Sequence, residues 1–467
     1  MVVGVSNAFT PRPLETHEIF VAQTAREMLS TGEWVLPTFN GEPRLNKPPL
    51  AYWLVMAVEK AIPSPVPVPE WKARLPSAFG GLVLALSAAL IGRSLYGSRV
   101  GFLSGLLACA SSGLFRYANN ARPEMLYAGC CAVMVWAVVQ AWGSADRSNR
   151  QAGWAVVMWV AAGLAILAKG PHFPLLIVGG VVIHALIERK ASRSLPVLRP
   201  FWGPVISLFI AAPWAVLVNV RAPNAGGVWL GQLSDATDRH GFTLSEYLEP
   251  YYLWGLPQIL LPWVVLLPFG LACLFVKGPG ALRRGRLLFW VFAAVFLALS
   301  LTTHRRSYYM LPMLAVLAPL TAAGTVDALT KCAGKWPARL MRTVVVSALV
   351  TVGFFAWLGT RDWVGGEGGA RKDEFARSVG AIVGNDPVFL FGESPGAVTY
   401  RLNRVTPEVD SAEALEKLLG GSAGWVVAPP ARLREIGPGF IVSEAARQNT
   451  GDSDESLVLA RVQRAVP

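Results

Sequence analysis

The sequence predicts a polytopic bundle of membrane-spanning helices followed by a small α/β domain. Of its 467 residues, 53% are hydrophobic and only 15% charged, against about 25% charged in an average soluble domain. Ten apolar windows, at about 74–96, 100–118, 125–142, 152–168, 173–187, 201–220, 251–276, 286–302, 308–328 and 341–359, approach the roughly 20 residues that cross a hydrocarbon core. From about residue 360 the composition changes to short β-rich runs alternating with helical stretches, the pattern of a small α/β fold.

Taken in order, residues 1–73 contain no full span and form the first expected region. Within it, the stretch from Glu15 is acidic and helix-like. Pro48 to Ile62 opens on two prolines and alternates apolar and polar positions, which suits a short helix lying in the interface plane. Residues 74–359 are the bundle, and 360–467 the soluble domain. In that domain Pro387–Phe391, Trp425–Val427, Gly439–Val442 and Ser456–Leu459 read as strands and Ala412–Leu419 as a helix. There is no internal repeat and no sign of helices broken at mid-membrane, so the pattern does not favour a transporter.

A net charge of +12 raises nucleic acid as a partner. The basic residues, however, are distributed through every second loop: Arg93 and Arg99, Arg147 and Arg150, Arg189 to Arg199, Lys277 to Arg286, Lys331 to Arg342. That is positive-inside patterning, so these loops are expected in the cytoplasm, with residues 1–73 and the carboxy-terminal domain on the other face. Membrane lipids are the expected surroundings, and no nucleic-acid partner is expected. Five cysteines lie in or beside apolar windows without CxxC or histidine clusters, and read as packing residues. No cleavable signal peptide is visible in residues 1–11. No ligand set with metal spacing stands out, so no cofactor is expected, a divalent metal being left open.

The charges of the other face carry the chemistry. They are Glu15, His17 and Glu18; Lys47; Arg122 and Glu124; Lys169; Asp238, Arg239 and His240; and His304, Arg305 and Arg306, followed by Tyr308 and Tyr309. Charges beside a membrane bundle are costly unless they line a wet cavity, and so mark a candidate site. Carboxylates facing fixed cations suit a transfer in which a base activates a hydroxyl while cations hold a departing phosphate. Each group also has a plainer reading. Glu15 and Glu124 could cap helix starts, Lys47 and Lys169 could snorkel, and Arg305 and Arg306 with their tyrosines could form an interfacial belt. His240 lies in a loop of about thirty residues, long enough to suggest a functional segment.

These residues also carry a resemblance. ET-E…AREMLSTGEWVLPTFNG…KPPLAYWL, ARLPSA (73–78), ARPEMLYA (121–128), LAKGP (167–171), APWAVLV (212–218) and RRSYYMLP (305–312) resemble, in order, the membrane glycosyltransferases of the C-type fold. Among these the sequence is most similar to the lipid A aminoarabinose transferases and the bacterial dolichyl-phosphate-mannose-protein mannosyltransferase-like proteins. The resemblance covers about residues 12 to 330 and does not reach the tail.

The resemblance implies a multi-pass enzyme of the bacterial inner membrane. It would transfer a sugar, with inversion, from a polyprenyl-phosphate-linked donor to a lipid, protein or glycan hydroxyl at the extracytoplasmic face. Lys47 would contact the phosphate, with Arg122, Lys169, His240, Arg305, Arg306 and Tyr309 binding substrate. Glu18, Glu15 and Glu124 are the candidate catalytic carboxylates, with Glu18 or Glu15 as base. Where such families carry an Asp-Glu pair this chain has His17-Glu18. Relatives also carry a span ahead of the acidic motif, and only about a dozen residues precede it here, so a late start is expected. The rival reading is a transporter or flippase of lipid-linked sugars.

Overall fold

The computed structural model describes residues 8–10, 12–237, 251–275, 282–302, 305–331, 336–360, 366–392, 396–420, 422–437, 439–448 and 456–464. Packing divides the chain into two compact units. One comprises Met1–Phe9, Leu45–Leu54 and Arg74–Thr360; the other comprises Thr10–Arg44, Val55–Ala73 and Arg361–Pro467. Residues 1–73 are therefore not a region of their own: most of them pack with the carboxy-terminal segment.

The first unit is helical. Among the described residues six helices are long and apolar enough to cross a membrane: Glu70–Tyr96, Pro123–Gly143, Ser148–Ala168, Ala191–Arg221, Ser307–Thr330 and Pro337–Gly359. The chain is an integral membrane protein. Broken helices, not expected from the sequence, occur twice: Ser98–Cys109 with Ser112–Ala118, bent by 56°, and Tyr251–Leu260 with Trp263–Ala272, bent by 112°. Pro262, which has no amide hydrogen to offer a helix, stands at the second break. The two breaks satisfy one another's backbone: Ser112 donates its N–H to the Leu261 carbonyl at 2.9 Å, and Trp263 Nε1 donates to the Ala110 carbonyl at 3.0 Å. Backbone freed at membrane depth needs such partners.

Two of the ten apolar windows are helices of only 16 and 15 residues, His172–Ile187 and Arg286–Ser300. At 1.5 Å per residue these reach about 22 to 24 Å, short of the roughly 30 Å core. Hydropathy marks both as apolar but does not fix where their hydrogen-bond ladders stop. The supposed thirty-residue loop after Val220 is also partly helical, from Ala225 to Thr237. Trp214 and Trp229 lie 5.5 Å apart there, holding that helix to its predecessor.

Small residues decide where the candidate site begins. A Cβ at Gly80 would lie 2.6 Å from the Met125 carbonyl oxygen, and one at Gly129 would lie 2.7 Å from that of Gly80. Only glycines permit this approach of the Glu70–Tyr96 and Pro123–Gly143 helices. Ser77 then donates its hydroxyl to the Arg122 carbonyl at 2.8 Å, fixing the residue ahead of the second helix.

The second unit contains a helix, Thr16–Thr31, a hairpin of β1 (Thr38–Phe39) and β2 (Glu42–Pro43), and a five-stranded sheet. The sheet is formed by β3 (Val388–Phe391), β4 (Glu408–Val409), β5 (Gly424–Ala428), β6 (Phe440–Arg447) and β7 (Val458–Arg464), in the order β4-β3-β5-β7-β6. β3 runs parallel to β4 and β5, while β7 is antiparallel to β5 and β6. The expected strands and the Ala412–Leu419 helix are all present. Strand β4, only two residues long, has no legible alternation of its own.

Two buried polar hubs hold this unit. Glu59 accepts from Lys72 Nζ at 2.8 Å and from the amides of Ser64 and Val68 at 2.8 and 2.9 Å. Lys72 Nζ also donates to the Ile62 carbonyl. Arg26 donates to the carbonyls of Pro67 and Tyr400, both at 2.6 Å, and its guanidinium lies 3.8 Å from the Tyr400 ring centre. Burial alone would raise the Glu59 pKa, but the Lys72 ammonium and the two amides outweigh it and hold the carboxyl below its ordinary value. A carboxylate favoured in the folded state stabilises above its unfolded pKa, about 4.5, and that contribution disappears as pH falls through the lowered folded value. Glu59→Gln is accordingly expected to cost about 2 kcal/mol at pH 7. It should also flatten the loss of thermal stability between pH 5 and pH 3; an unchanged acid profile would show that Glu59 does not carry it.

Candidate active site

In the helical unit a small pocket, partly open to solvent, is lined by Glu124, Tyr127, Lys169, His172, Phe173, Tyr308, Tyr309 and Pro312. Each side chain arrives there because a helix starts or stops. Pro123 takes the first turn of its helix, where a missing amide hydrogen is harmless, and Glu124 follows in that turn. Tyr127 lies three residues on and thus on the same face. Lys169 ends the Ser148–Ala168 helix as its C-cap residue. The chain then reverses through Gly170 at φ +135°, a backbone conformation that favours glycine. The Tyr127 hydroxyl clamps this reversal, donating to the Gly170 carbonyl at 3.1 Å and accepting the Phe173 amide at 3.0 Å. Tyr308 and Tyr309 come from the 3-10 turn Ser307–Met313.

At the centre Lys169 Nζ stands 3.3 Å from Glu124 Oε1, and both side chains are about one-tenth exposed. The ammonium also lies 5.1 Å and 4.9 Å from the ring centres of Tyr308 and Tyr309, within cation–π range. The second carboxylate oxygen, Oε2, is buried without a hydrogen-bond partner among the described residues. Lys47 and Arg122 lie near enough that Glu124 feels both charges, and Lys47 acts on His172 as well. Lys169 pairs with Glu124, and the charges of Arg122 and Lys47 reach the same carboxylate. Cations gathered at one point stabilise an anion that gains charge.

The structure brings together Glu124, Lys169 and Tyr309, with Lys47 and Arg122 near them. It does not bring Arg305 and Arg306 into the lining. Arg305 donates from Nε to the Thr302 carbonyl at 3.1 Å and from Nη2 to that of Ser300 at 3.2 Å. It therefore caps the Arg286–Ser300 helix, whose last carbonyls lack intrahelical donors. Arg306 is exposed. His240, Asp238, Arg239 and His304 lie outside the described residues.

Glu15 and Glu18 belong to the other unit. Glu15 is the N-cap of the Thr16–Thr31 helix and Glu18 its N3 residue, in a capping box. Glu18 is fully buried, accepts the Glu15 amide at 3.0 Å and faces Arg12 at 3.5 Å. Sequence reasoning passed over Tyr127, His172 and Phe173. For Tyr127 a signal existed in its three-residue spacing from Glu124; for the other two, burial of a helix start gave none.

Comparison with known proteins follows this geometry. The model of the dolichyl-phosphate-mannose-protein mannosyltransferase family matches residues 46–217. A relative from Aeromonas salmonicida, undecaprenyl phosphate-alpha-4-amino-4-deoxy-L-arabinose arabinosyl transferase, is 29% identical over 331 residues, covering 66% of this chain and 55% of that protein. An uncharacterized protein of Aquifex aeolicus is 26% identical over 312 residues, 66% of this chain and 58% of its own. The chain thus spans little more than half the length of these curated relatives. Among solved structures, ArnT from Cupriavidus metallidurans bound to undecaprenyl phosphate superposes with a TM-score of 0.81 at 18% identity, covering 98% of this chain and 96% of that one. This chain has the C-type membrane glycosyltransferase fold. The archaeal oligosaccharyltransferase AglB of Archaeoglobus fulgidus, in complex with an inhibitory peptide and a dolichol-phosphate, shares the C-type fold more distantly, with a TM-score of 0.60 at 12% identity over 92% of this chain and 68% of that one.

The Lys169–Glu124 pair gives this C-type bundle a direct test. Lys169→Met leaves a buried carboxylate without its partner and is expected to cost about 3 kcal/mol of thermal stability in detergent. Lys169→Met with Glu124→Gln should recover most of that loss. If the single variant is as stable as the parent, the pair is not the enclosed ion pair described.

Proposed function

We propose that this protein is a membrane glycosyltransferase that moves a sugar from a polyprenyl-phosphate-linked donor to a hydroxyl acceptor, a lipid, protein or glycan. The reading rests above all on the enclosed Lys169–Glu124 pair, whose carboxylate also feels the charges of Arg122 and Lys47. The donor phosphate is a diester carrying one negative charge. When the sugar carbon leaves it, the polyprenyl phosphate becomes a monoester and gains a second. Lys47, Arg122 and Lys169 hold this developing charge, which accelerates the step because it is greater in the transition state than in the ground state.

The acceptor hydroxyl attacks the sugar carbon from the face opposite the phosphate, giving inversion without a covalent enzyme intermediate. Its proton passes to a carboxylate. Glu15 and Glu18 cap the same helix start and Glu18 also faces Arg12, whereas one oxygen of Glu124 has no hydrogen-bond partner among the described residues, which favours Glu124. Substitution of each by Gln separates the three. The reaction lies on the extracytoplasmic side of a bacterial inner membrane, in keeping with basic residues in alternate loops. A carrier of lipid-linked sugars is the rival; the Aeromonas salmonicida relative and AglB are named as transferases.

The purified chain, incubated with a labelled polyprenyl-phosphate sugar and a bacterial envelope extract as acceptor source, should release polyprenyl phosphate. Lys47→Ala should lower that release by about a hundredfold, the scale for losing one preorganised charge-stabilising group, with unchanged expression. Full turnover by Lys47→Ala would remove the phosphate role. Labelled lipid that changes membrane face with its sugar still attached would favour the carrier.

A further inference from the structure

We infer that an anionic phospholipid binds where the Ala191–Leu198 helix turns into the Gly203–Arg221 helix, its headgroup phosphate on Arg199 and Arg193 and its chains along the apolar face that follows. The inference is independent of the transfer reaction, and its grounds lie within the helical unit.

Both arginines are half-buried and dock where the Pro123–Gly143 helix hands over to the Ser148–Ala168 helix. Arg193 donates from Nε to the Trp142 carbonyl at 3.3 Å, with its guanidinium 4.4 Å from the Trp142 ring centre. Arg199 donates from Nη2 to the Ser148 carbonyl at 3.3 Å and to Gln151 Oε1 at 3.1 Å. Each guanidinium is thus aimed through a single nitrogen. Among the described residues Nε and Nη1 of Arg199 have no hydrogen-bond partner, and neither arginine pairs with a carboxylate. Arg199 also holds φ +43°, a backbone that a residue other than glycine adopts only where its surroundings keep it there.

Half-buried cations call for an anion. From residue 142 to residue 202 the acids of the chain are Asp146 and Glu188, and Glu188 is taken by Arg286 at 2.8 Å and Trp290 at 3.2 Å. Asp146 is exposed. Depth decides which anion fits. The Gly203–Arg221 helix has nineteen residues, about 28 Å at 1.5 Å each and close to the roughly 30 Å core, so Arg199 falls at the level of the lipid phosphates. Beyond it Phe201 is 95% exposed, Val205 59% and Phe209 80%, a stripe at four-residue steps along one side. A phosphate esterified to acyl chains satisfies the arginines and the stripe together, whereas a free phosphate satisfies the arginines alone. Arg189 and Lys190, exposed just ahead of the helix, repel the cationic group of a zwitterionic lipid, which selects a headgroup of net negative charge such as phosphatidylglycerol.

Binding of phosphatidylglycerol to the purified full chain in a neutral detergent is titrated by native mass spectrometry, beside phosphatidylcholine and inorganic phosphate. The parent should hold phosphatidylglycerol about tenfold more tightly than phosphatidylcholine. Arg199→Asn removes the guanidinium while tolerating the left-handed backbone, and should weaken phosphatidylglycerol binding about tenfold, the worth of one hydrogen bond to a charged group. Phosphatidylcholine binding should not change, which separates the site from a merely structural role. Arg93→Asn removes an exposed arginine from the last turn of the Glu70–Tyr96 helix and should leave both lipids bound as in the parent. Equal binding of the two lipids by the parent, an equal loss in Arg93→Asn, or undiminished binding by Arg199→Asn overturns the inference. So does displacement of the lipid by equimolar inorganic phosphate, which would make this a site for a free anion. Should Arg199→Asn not fold, Arg193→Gln takes its place under the same outcomes.

Discussion

The cost of placing charge beside hydrocarbon shapes the helical unit. Glu124 and Lys169 are almost enclosed and stand 3.3 Å apart, an arrangement that holds only while each screens the other. The pair in turn dictates where two helices may end. Glu124 must open one and Lys169 must close another at the same depth, which needs Pro123 at the first turn, Gly170 at the reversal and Tyr127 bridging it. Gly80 and Gly129 then allow the neighbouring helix close enough to fix that depth. Small residues far along the chain thus serve two charged ones.

Much of this was legible in the sequence. Ten apolar windows each correspond to a helix or a bent pair, because burial against lipid is written in composition over some twenty residues. Glu124 and Lys169 were legible for the complementary reason, that ionisable groups at helix ends need a purpose. What hydropathy could not supply was the length of the ladders or the places where they break. The Arg286–Ser300 helix stops early, and Arg305 is spent on its last carbonyls. A sequence shows a pair of arginines before two tyrosines; it does not show which carbonyls will need donors.

The second unit was least legible, because what holds it is distant in sequence. Asn40 and Thr406 are 366 residues apart, and Arg26 and Tyr400 are separated by 374. No local propensity foretells such bonds. The expected boundary at residue 73 followed composition, which changes where the spans begin, whereas packing follows hydrogen bonds and buried rings. A segment can precede every span and still belong with the end of the chain.

The two kinds of cation use bear on the proposed chemistry. Arg26 and Arg305 spread their donors over backbone carbonyls, and a planar guanidinium so engaged cannot turn to a new ligand without leaving several acceptors unsatisfied. Lys169 faces one carboxylate and the faces of two phenols. An ammonium on a flexible stem can exchange a carboxylate oxygen for a phosphate oxygen while the aromatic contacts persist. The exchange is close to neutral for the lysine, one anion replacing another. In the proposed reaction such an exchange would leave Glu124 without its ammonium partner. In the proposed reaction, donor binding at Lys169 and the pairing of Glu124 would then be linked through a single ammonium.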